Sequence, residues 1–241
     1  DYIFGRDYGF LGTKSTGVTL TKNSDSIEAK WSVDGLEFTQ ITTLENTKSE
    51  MHGMVRISYS VKSTDNRVAE NIKARIMLDS ALGYQDFAVY ELTQADGSYT
   101  QVQNEALIDN ADGTAYNNAL FGYDDPKSPT VTAYTVNASV NDKIVKPYSL
   151  AFGHWNNLAA TVFDFTPDES LSFTNPYNEK YLTADSAYAL YFDMGAAAAN
   201  GDASVIATNY GVYSNATVNN ADKISINFSS QLGAMQLNNT K

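Results

Sequence analysis

Val55-Arg56-Ile57-Ser58-Tyr59-Ser60-Val61-Lys62 alternates apolar and polar side chains without a break. A strand turns successive side chains to opposite faces. This register therefore gathers Val55, Ile57, Tyr59 and Val61 on one face and leaves Arg56, Ser58, Ser60 and Lys62 to water. The same period recurs on either side. Ile27, Ala29, Trp31 and Val33 alternate with Glu28, Lys30 and Ser32, and Ile72, Ala74, Ile76 and Leu78 with Lys73 and Arg75. Trp31 is in phase with its apolar neighbours and is assigned to the core. Turn dipeptides punctuate the strands at Asp34-Gly35, Asp96-Gly97, Asp112-Gly113 and Asn200-Gly201. The first joins 27–33 to 36–44 as a hairpin.

Further along, 187–192 and 204–213 are more apolar and predict strands buried on both faces or central in a sheet, while Ile224, Ile226 and Phe228 mark a near-final strand. No segment of about twelve residues keeps a helical period. The alanine run 196–199 is followed at once by Asn-Gly and is expected to be a loop entering a hairpin. Two segments, 109–129 and 166–184, lack a period and are rich in turn residues. They predict long, ordered connections across an end of the fold. No linker, repeat or low-complexity tract divides the chain. The expectation is all-β: a large two-sheet antiparallel β-sandwich, supersandwich or jelly-roll-like, with few or no helices. One domain is expected to span 1–241, excised from a longer multidomain surface protein.

The composition supports a folded core, with 43% apolar and 12% aromatic residues among 241. Only 18% are charged, at a net charge of -12. Such a surface repels phosphate backbones and anionic membranes, which excludes nucleic acid as a partner and leaves neutral ligands and cations. Cysteine is absent, so disulfides, thiolate metal sites and cysteine nucleophiles are excluded, and the balance leans toward a bacterial surface protein. No run approaches the roughly 18 apolar residues of a membrane span. The start, Asp1-Tyr2-Ile3-Phe4, carries no signal-peptide pattern.

Catalytic motifs are sparse. The two histidines, His52 and His154, cannot form a three-histidine zinc site and offer only two candidate bases for a triad. Gly-x-Ser-x-Gly, Gly-x-Gly-x-x-Gly and Walker A patterns are missing. A glycosidase pair could be drawn from Asp124, Asp125, Asp164, Asp168 and Glu169, although Asp124-Asp125 before Pro126 fits a turn. A mutarotase-like role, which large sandwiches also serve, would need a histidine acid and a carboxylate base. The expectation is a chain that is not an enzyme and has no catalytic residues. Asn110-x-Asp112-Gly113 imitates an EF-hand centre, but Ile108 and Ala119 would fall at ligating positions, so that motif is rejected. A structural Ca2+ at irregular acidic loops stays open, and no other cofactor is expected.

A resemblance enters at Phe152-Gly153-His154-Trp155-Asn156-Asn157-Leu158-Ala159-Ala160-Thr161-Val162-Phe163-Asp164-Phe165. It resumes at Thr183-Ala184-Asp185-Ser186-Ala187-Tyr188-Ala189-Leu190-Tyr191-Phe192, then Ala199-Asn200-Gly201-Asp202-Ala203-Ser204 and Thr208-Asn209-Tyr210-Gly211-Val212, with Arg75-Ile76-Met77-Leu78-Asp79-Ser80-Ala81-Leu82-Gly83 upstream. Together these resemble large β-sandwich domains in surface proteins of gut Firmicutes, over about 27–213. Gly83-Tyr84-Gln85-Asp86 replaces an acidic run of that pattern. The Asn-, Tyr- and Asp-rich character looks like ruminococcal surface proteins, several of which bind starch or plant glycans through non-catalytic sandwiches. The resemblance implies a carbohydrate-binding module, with starch or another α-glucan as ligand.

A sugar site needs rings for the C–H face of a pyranose and neutral hydrogen-bonders for its hydroxyls. His154-Trp155-Asn156-Asn157 offers both at the start of an expected strand; alternatively Trp155 fills the core and His154 caps the strand. The long connection supplies Tyr116, Asn117, Asn118, Tyr123, Asp124 and Asp125, and Tyr84, Gln85, Asp86 and Phe87 form a third set. The candidate ligand-binding residues are Trp155, His154, Asn156, Tyr123, Asp125, Tyr116 and Tyr84, with Trp155 or Tyr123 as the stacking platform. The expected partner is a polysaccharide or oligosaccharide, met by a monomeric domain at a bacterial cell surface or after secretion, without membrane insertion. The rival reading is a structural spacer or protein-binding domain of a surface adhesin.

Overall fold

The structure is a computed structural model. It describes residues 18–45, 54–140, 143–161, 163–175, 180, 183–214, 227–228 and 235–236. The chain opens with β1 (Thr19–Lys22), β2 (Ser26–Val33), β3 (Leu36–Glu45), β4 (Met54–Ser63) and β5 (Ala69–Asp79). Shorter strands follow: β6 (Val89–Thr93), β7 (Tyr99–Val102), β8 (Ala106–Asp109), β9 (Ala119–Tyr123), β10 (Val131–Asn137), β11 (Ser139–Val140), β12 (Lys143–Ile144) and β13 (Ser149–Gly153). After helix α1 (Trp155–Ala159) come β14 (Ala187–Ala197), β15 (Ile206–Ser214) and the two-residue β16 (Asn227–Phe228) and β17 (Met235–Gln236).

Two antiparallel sheets carry the fold, as the alternating pattern predicts. The larger has nine strands in the order β1-β2-β3-β4-β15-β10-β9-β6-β7, the smaller four in the order β5-β14-β13-β8. Local signals make the first hairpin: Asp34 and Gly35 both take positive φ, 49° and 75°, as a two-residue turn between right-twisted strands requires. Across it Trp31 stacks on Phe38 at 5.4 Å, and Trp31 is buried. Long-range pairing makes the rest. Tyr59 of β4 lies beside Ile206 of β15. Glycine permits one close approach in this sheet: a methyl at Gly211 would collide with the Tyr134 ring, so β10 and β15 pair only with that face bare.

The inner faces share one core. Tyr90, Phe152, Phe173 and Tyr188 pack ring to ring at 5.2 to 6.4 Å, with Leu78, Leu92, Leu120, Leu150, Leu190 and Ile206 around them. Buried phenols keep partners, as burial demands. Tyr90 Oη meets Ser186 Oγ at 3.0 Å, and Tyr188 Oη meets Thr135 Oγ1.

The structure corrects several sequence expectations. The segment from His154 is not a strand: β13 ends at Gly153 and α1 begins at Trp155. The expected 109–129 loop contains β9, because Leu120 and Gly122 pair into the sheet between β10 and β6. β14 continues through Ala197 before the Asn200 turn, so half of the alanine run is strand. Ile224, Ile226 and His52 lie outside the described residues. Among the described residues, no helix is long and apolar enough to cross a membrane.

Candidate functional site

The four-stranded sheet has a second apolar face, turned away from the sandwich core. Met77 of β5, Ala187, Ala189 and Tyr191 of β14 and Ala151 of β13 pack there under Leu158, Phe163 and Phe165. Small side chains in the centre of the sheet leave room for this cover. Gly153 does the same at its rim: a methyl there would meet the Phe165 ring at 2.8 Å. The cover is α1 and the chain after it.

Three side chains hold the cover down. Glu105, 1% exposed, accepts from the backbone N of His154 at 3.2 Å, from Asn157 Nδ2 at 2.8 and 3.0 Å, and from the backbone N of Asp168 at 2.9 Å. His154 caps the helix, its Nδ1 accepting from the Asn156 N at 3.3 Å. Its Nε2 lies 3.0 Å from the Thr183 carbonyl, so the proton belongs on Nε2. Burial pushes the imidazole pKa down, against the bond to Thr183. At the other end Arg75 donates to the Leu158 carbonyl at 2.8 Å and to Thr161 Oγ1 and O at 2.8 and 3.2 Å.

Beside the cover an open cleft of about 110 Å³ is lined by Leu107, Tyr148, Ser149, Asp164, Phe165 and Tyr191. Register explains the row. Ser149 pairs with Tyr191, and Leu107 with Ala151, so β8, β13 and β14 each send a side chain outward to the same place. Leu107 is half exposed at 48%. Tyr191 is held rigidly: its hydroxyl donates to the Phe163 carbonyl at 2.9 Å, and the Arg75 guanidinium lies 5.8 Å from its ring centroid. Lys73 Nζ stands 5.2 Å from the Tyr148 ring centroid. Burial raises both phenol pKa values, that of Tyr191 to about 12, and Asp164 adds to each shift. Both hydroxyls are therefore neutral donors at physiological pH. The cleft offers aromatic and aliphatic walls, a carboxylate at its rim and one phenolic donor, Tyr148.

The sequence candidates do not form one site. Trp155 packs partly buried in the same outer layer as Phe165 and Tyr191, and Asn156 beside it is exposed. His154 is fully buried as the helix cap, and Tyr116 is fully buried in the main core; neither meets solvent. Tyr123 lies on β9 in the large sheet, stacked on Phe121 at 6.4 Å, its hydroxyl donating to Glu91 at 3.2 Å. Asp125 is exposed and closes its own loop by accepting from Lys127 N. Tyr84 projects fully into solvent from a tight turn closed by reciprocal Leu82–Gln85 backbone bonds of 2.9 and 3.0 Å. Of the carboxylates weighed for hydrolysis, Asp164 reaches the cleft, whereas Asp168 accepts from Ser170 within its own turn. Sequence reasoning missed Leu107, Tyr148, Ser149 and Tyr191, since nothing local separates an outward strand residue over an open cleft from one under cover. Among the described residues, no group of three or more His, Asp or Glu could hold a metal ion.

No protein-family model matches the chain, and no curated protein matches it significantly. Among solved structures it is similar to a protein from Escherichia coli K12 described as a "putative aldose 1-epimerase", at 10% identity and a TM-score of 0.48, covering 86% of this chain and 70% of that one. It is also similar to the Slr1438 protein from Synechocystis sp. PCC 6803, at 8% identity and a TM-score of 0.40, covering 82% and 65%. The first of these overturns the expectation of a chain that is not an enzyme. That protein is described as an enzyme, and a fold of itself excludes no chemistry.

Proposed function

We propose that the chain binds carbohydrate in the cleft on the outer face of the four-stranded sheet, with an α-glucan such as starch as the ligand class and a cell-surface or secreted setting. The observation that carries the reading is the pairing of walls: the Tyr148 ring and the exposed Leu107 side chain frame one opening with Asp164 at its rim. A pyranose presents an apolar C–H face for the first two and hydroxyls for the carboxylate. The Tyr148 phenol, neutral at physiological pH with its pKa raised by burial, supplies a donor that a ring oxygen or hydroxyl accepts, while the Tyr191 hydroxyl stays on the Phe163 carbonyl. The net charge of -12 agrees with a neutral ligand. Trp155 and Asn156 lie in the same outer layer and could extend the contact for a longer chain; Tyr84, Tyr123 and Asp125 lie elsewhere and are the candidates if the cleft is not the site.

Affinity electrophoresis through gels containing soluble starch and a panel of other polysaccharides tests the reading. Retardation by starch is expected. Tyr148→Ala is expected to weaken it through a loss of about 1–3 kcal/mol, roughly 5- to 150-fold in affinity, while the melting temperature moves little. Retardation by no glycan would overturn carbohydrate binding and leave the spacer or protein-binding reading in front. Retardation that Tyr148→Ala leaves intact would move the site out of the cleft.

A further inference from the structure

Arg75 donates at once to the end of α1, to the turn behind it and over the ring beneath both. Its guanidinium binds the Leu158 carbonyl and both Thr161 oxygens. It also faces Tyr191, whose hydroxyl in turn grips the Phe163 carbonyl. Residues 158 and 161 are thus held by Arg75 itself and residue 163 by the ring it lies over, and Asp164 follows directly. No carboxylate pairs with Arg75 in the salt bridges found among the described residues. Its charge is spent on the carbonyls at the C-terminal end of the helix, where the dipole is negative, and on an aromatic face, both favourable to a cation.

We propose that Arg75 is the positioning residue of the cleft: it sets where Asp164 stands opposite Tyr148, and so governs ligand affinity without touching ligand. The proposal rests on the reading of the cleft as a carbohydrate site. The planar fork matters. A lysine carries charge as a compact point and cannot hold Leu158 and Thr161 together while lying over Tyr191. Glu105, by contrast, secures the two outer ends of the cover, at His154 and Asn157 and again at Asp168, and leaves the stretch between, which carries Asp164, to Arg75.

Arg75→Lys, Asp164→Ala and the double variant decide the matter, with soluble starch as the probe in calorimetric titration. Arg75→Lys is expected to lose about tenfold in affinity, with its melting temperature close to that of the parent. In the Asp164→Ala background the same change is expected to cost almost nothing, because the residue it positions is gone. Additive losses, or parental affinity in Arg75→Lys, would overturn the proposal. Amide hydrogen exchange on the unliganded protein separates this from failure of carbohydrate binding. Faster exchange at Ala160 and Thr161, whose amides bond to Asn156 and Leu158, with β14 unchanged, is expected in Arg75→Lys whether or not starch binds. Unchanged exchange there would overturn the positioning role by itself.

Discussion

Asp185 ends the long connection that enters β14, with one carboxylate oxygen, Oδ1, buried and without a hydrogen-bond partner. Burial foremost, then the charges of Asp79 and Asp86, raises its pKa to about 7. An acid raised in the folded state keeps its proton while the unfolded chain, near the ordinary value of about 3.9, has lost it. Its contribution is therefore complete below about pH 4 and disappears as pH rises toward 7. Asp185→Asn is expected to raise the melting temperature by a few degrees at pH 8 and to change it little at pH 4. Equal shifts at both pH values would contradict this. His154 works in the other sense: its pKa is lowered, first by burial, so its contribution is present above about pH 6.5 and is lost as pH falls. His154→Asn keeps a capping acceptor and is expected to flatten the acid side of the stability profile. Thermal melts from pH 4 to 8 on both variants separate the two slopes.

At the scale of the element, α1 is too short to hold together alone, since a five-residue helix lies far below the length at which isolated helices persist. It exists because Glu105 and Arg75 fasten its two ends. Glu105→Ala would leave the donors of His154, Asn157 and Asp168 without their acceptor, at a cost of about 2–4 kcal/mol. Chemical denaturation should report that loss, and amide exchange should rise first across 154–168. A uniform rise over both sheets instead would show that the carboxylate supports the whole fold. This helix could not be found in the sequence. Histidine is not among the favoured capping residues, and the apolar spacing from Phe152 onward also fits a strand. The β2–β3 hairpin was legible because its turn and alternation lie within a few residues of each other. β9 was not, because its short apolar run becomes a strand only when β10 and β6 flank it.

Across the whole molecule, the ring cluster between the sheets is the main determinant of stability. Phe152 is fully buried against Tyr90 and Tyr188, so Phe152→Ala is expected to cost about 3–5 kcal/mol and to lower a single cooperative melting transition by roughly 10 °C. A local opening near α1 with the main transition unmoved would refute it. The sequence by itself determined the all-β class, the burial of Trp31, the positive-φ turn at Asp34-Gly35 and the exclusion of cysteine chemistry. Each is settled by residue type or by neighbours two or three positions away, through pleat, turn geometry or the absence of a reactive group. Only the tertiary structure decided that β4 pairs with β15, that Tyr116 belongs to the core, and that Leu107, Ser149 and Tyr191 line one cleft with Asp164. Strand order is chosen by the burial and hydrogen bonding of both sheets together. A cleft made by that order is a property of distant segments in register, which no single stretch of the chain contains.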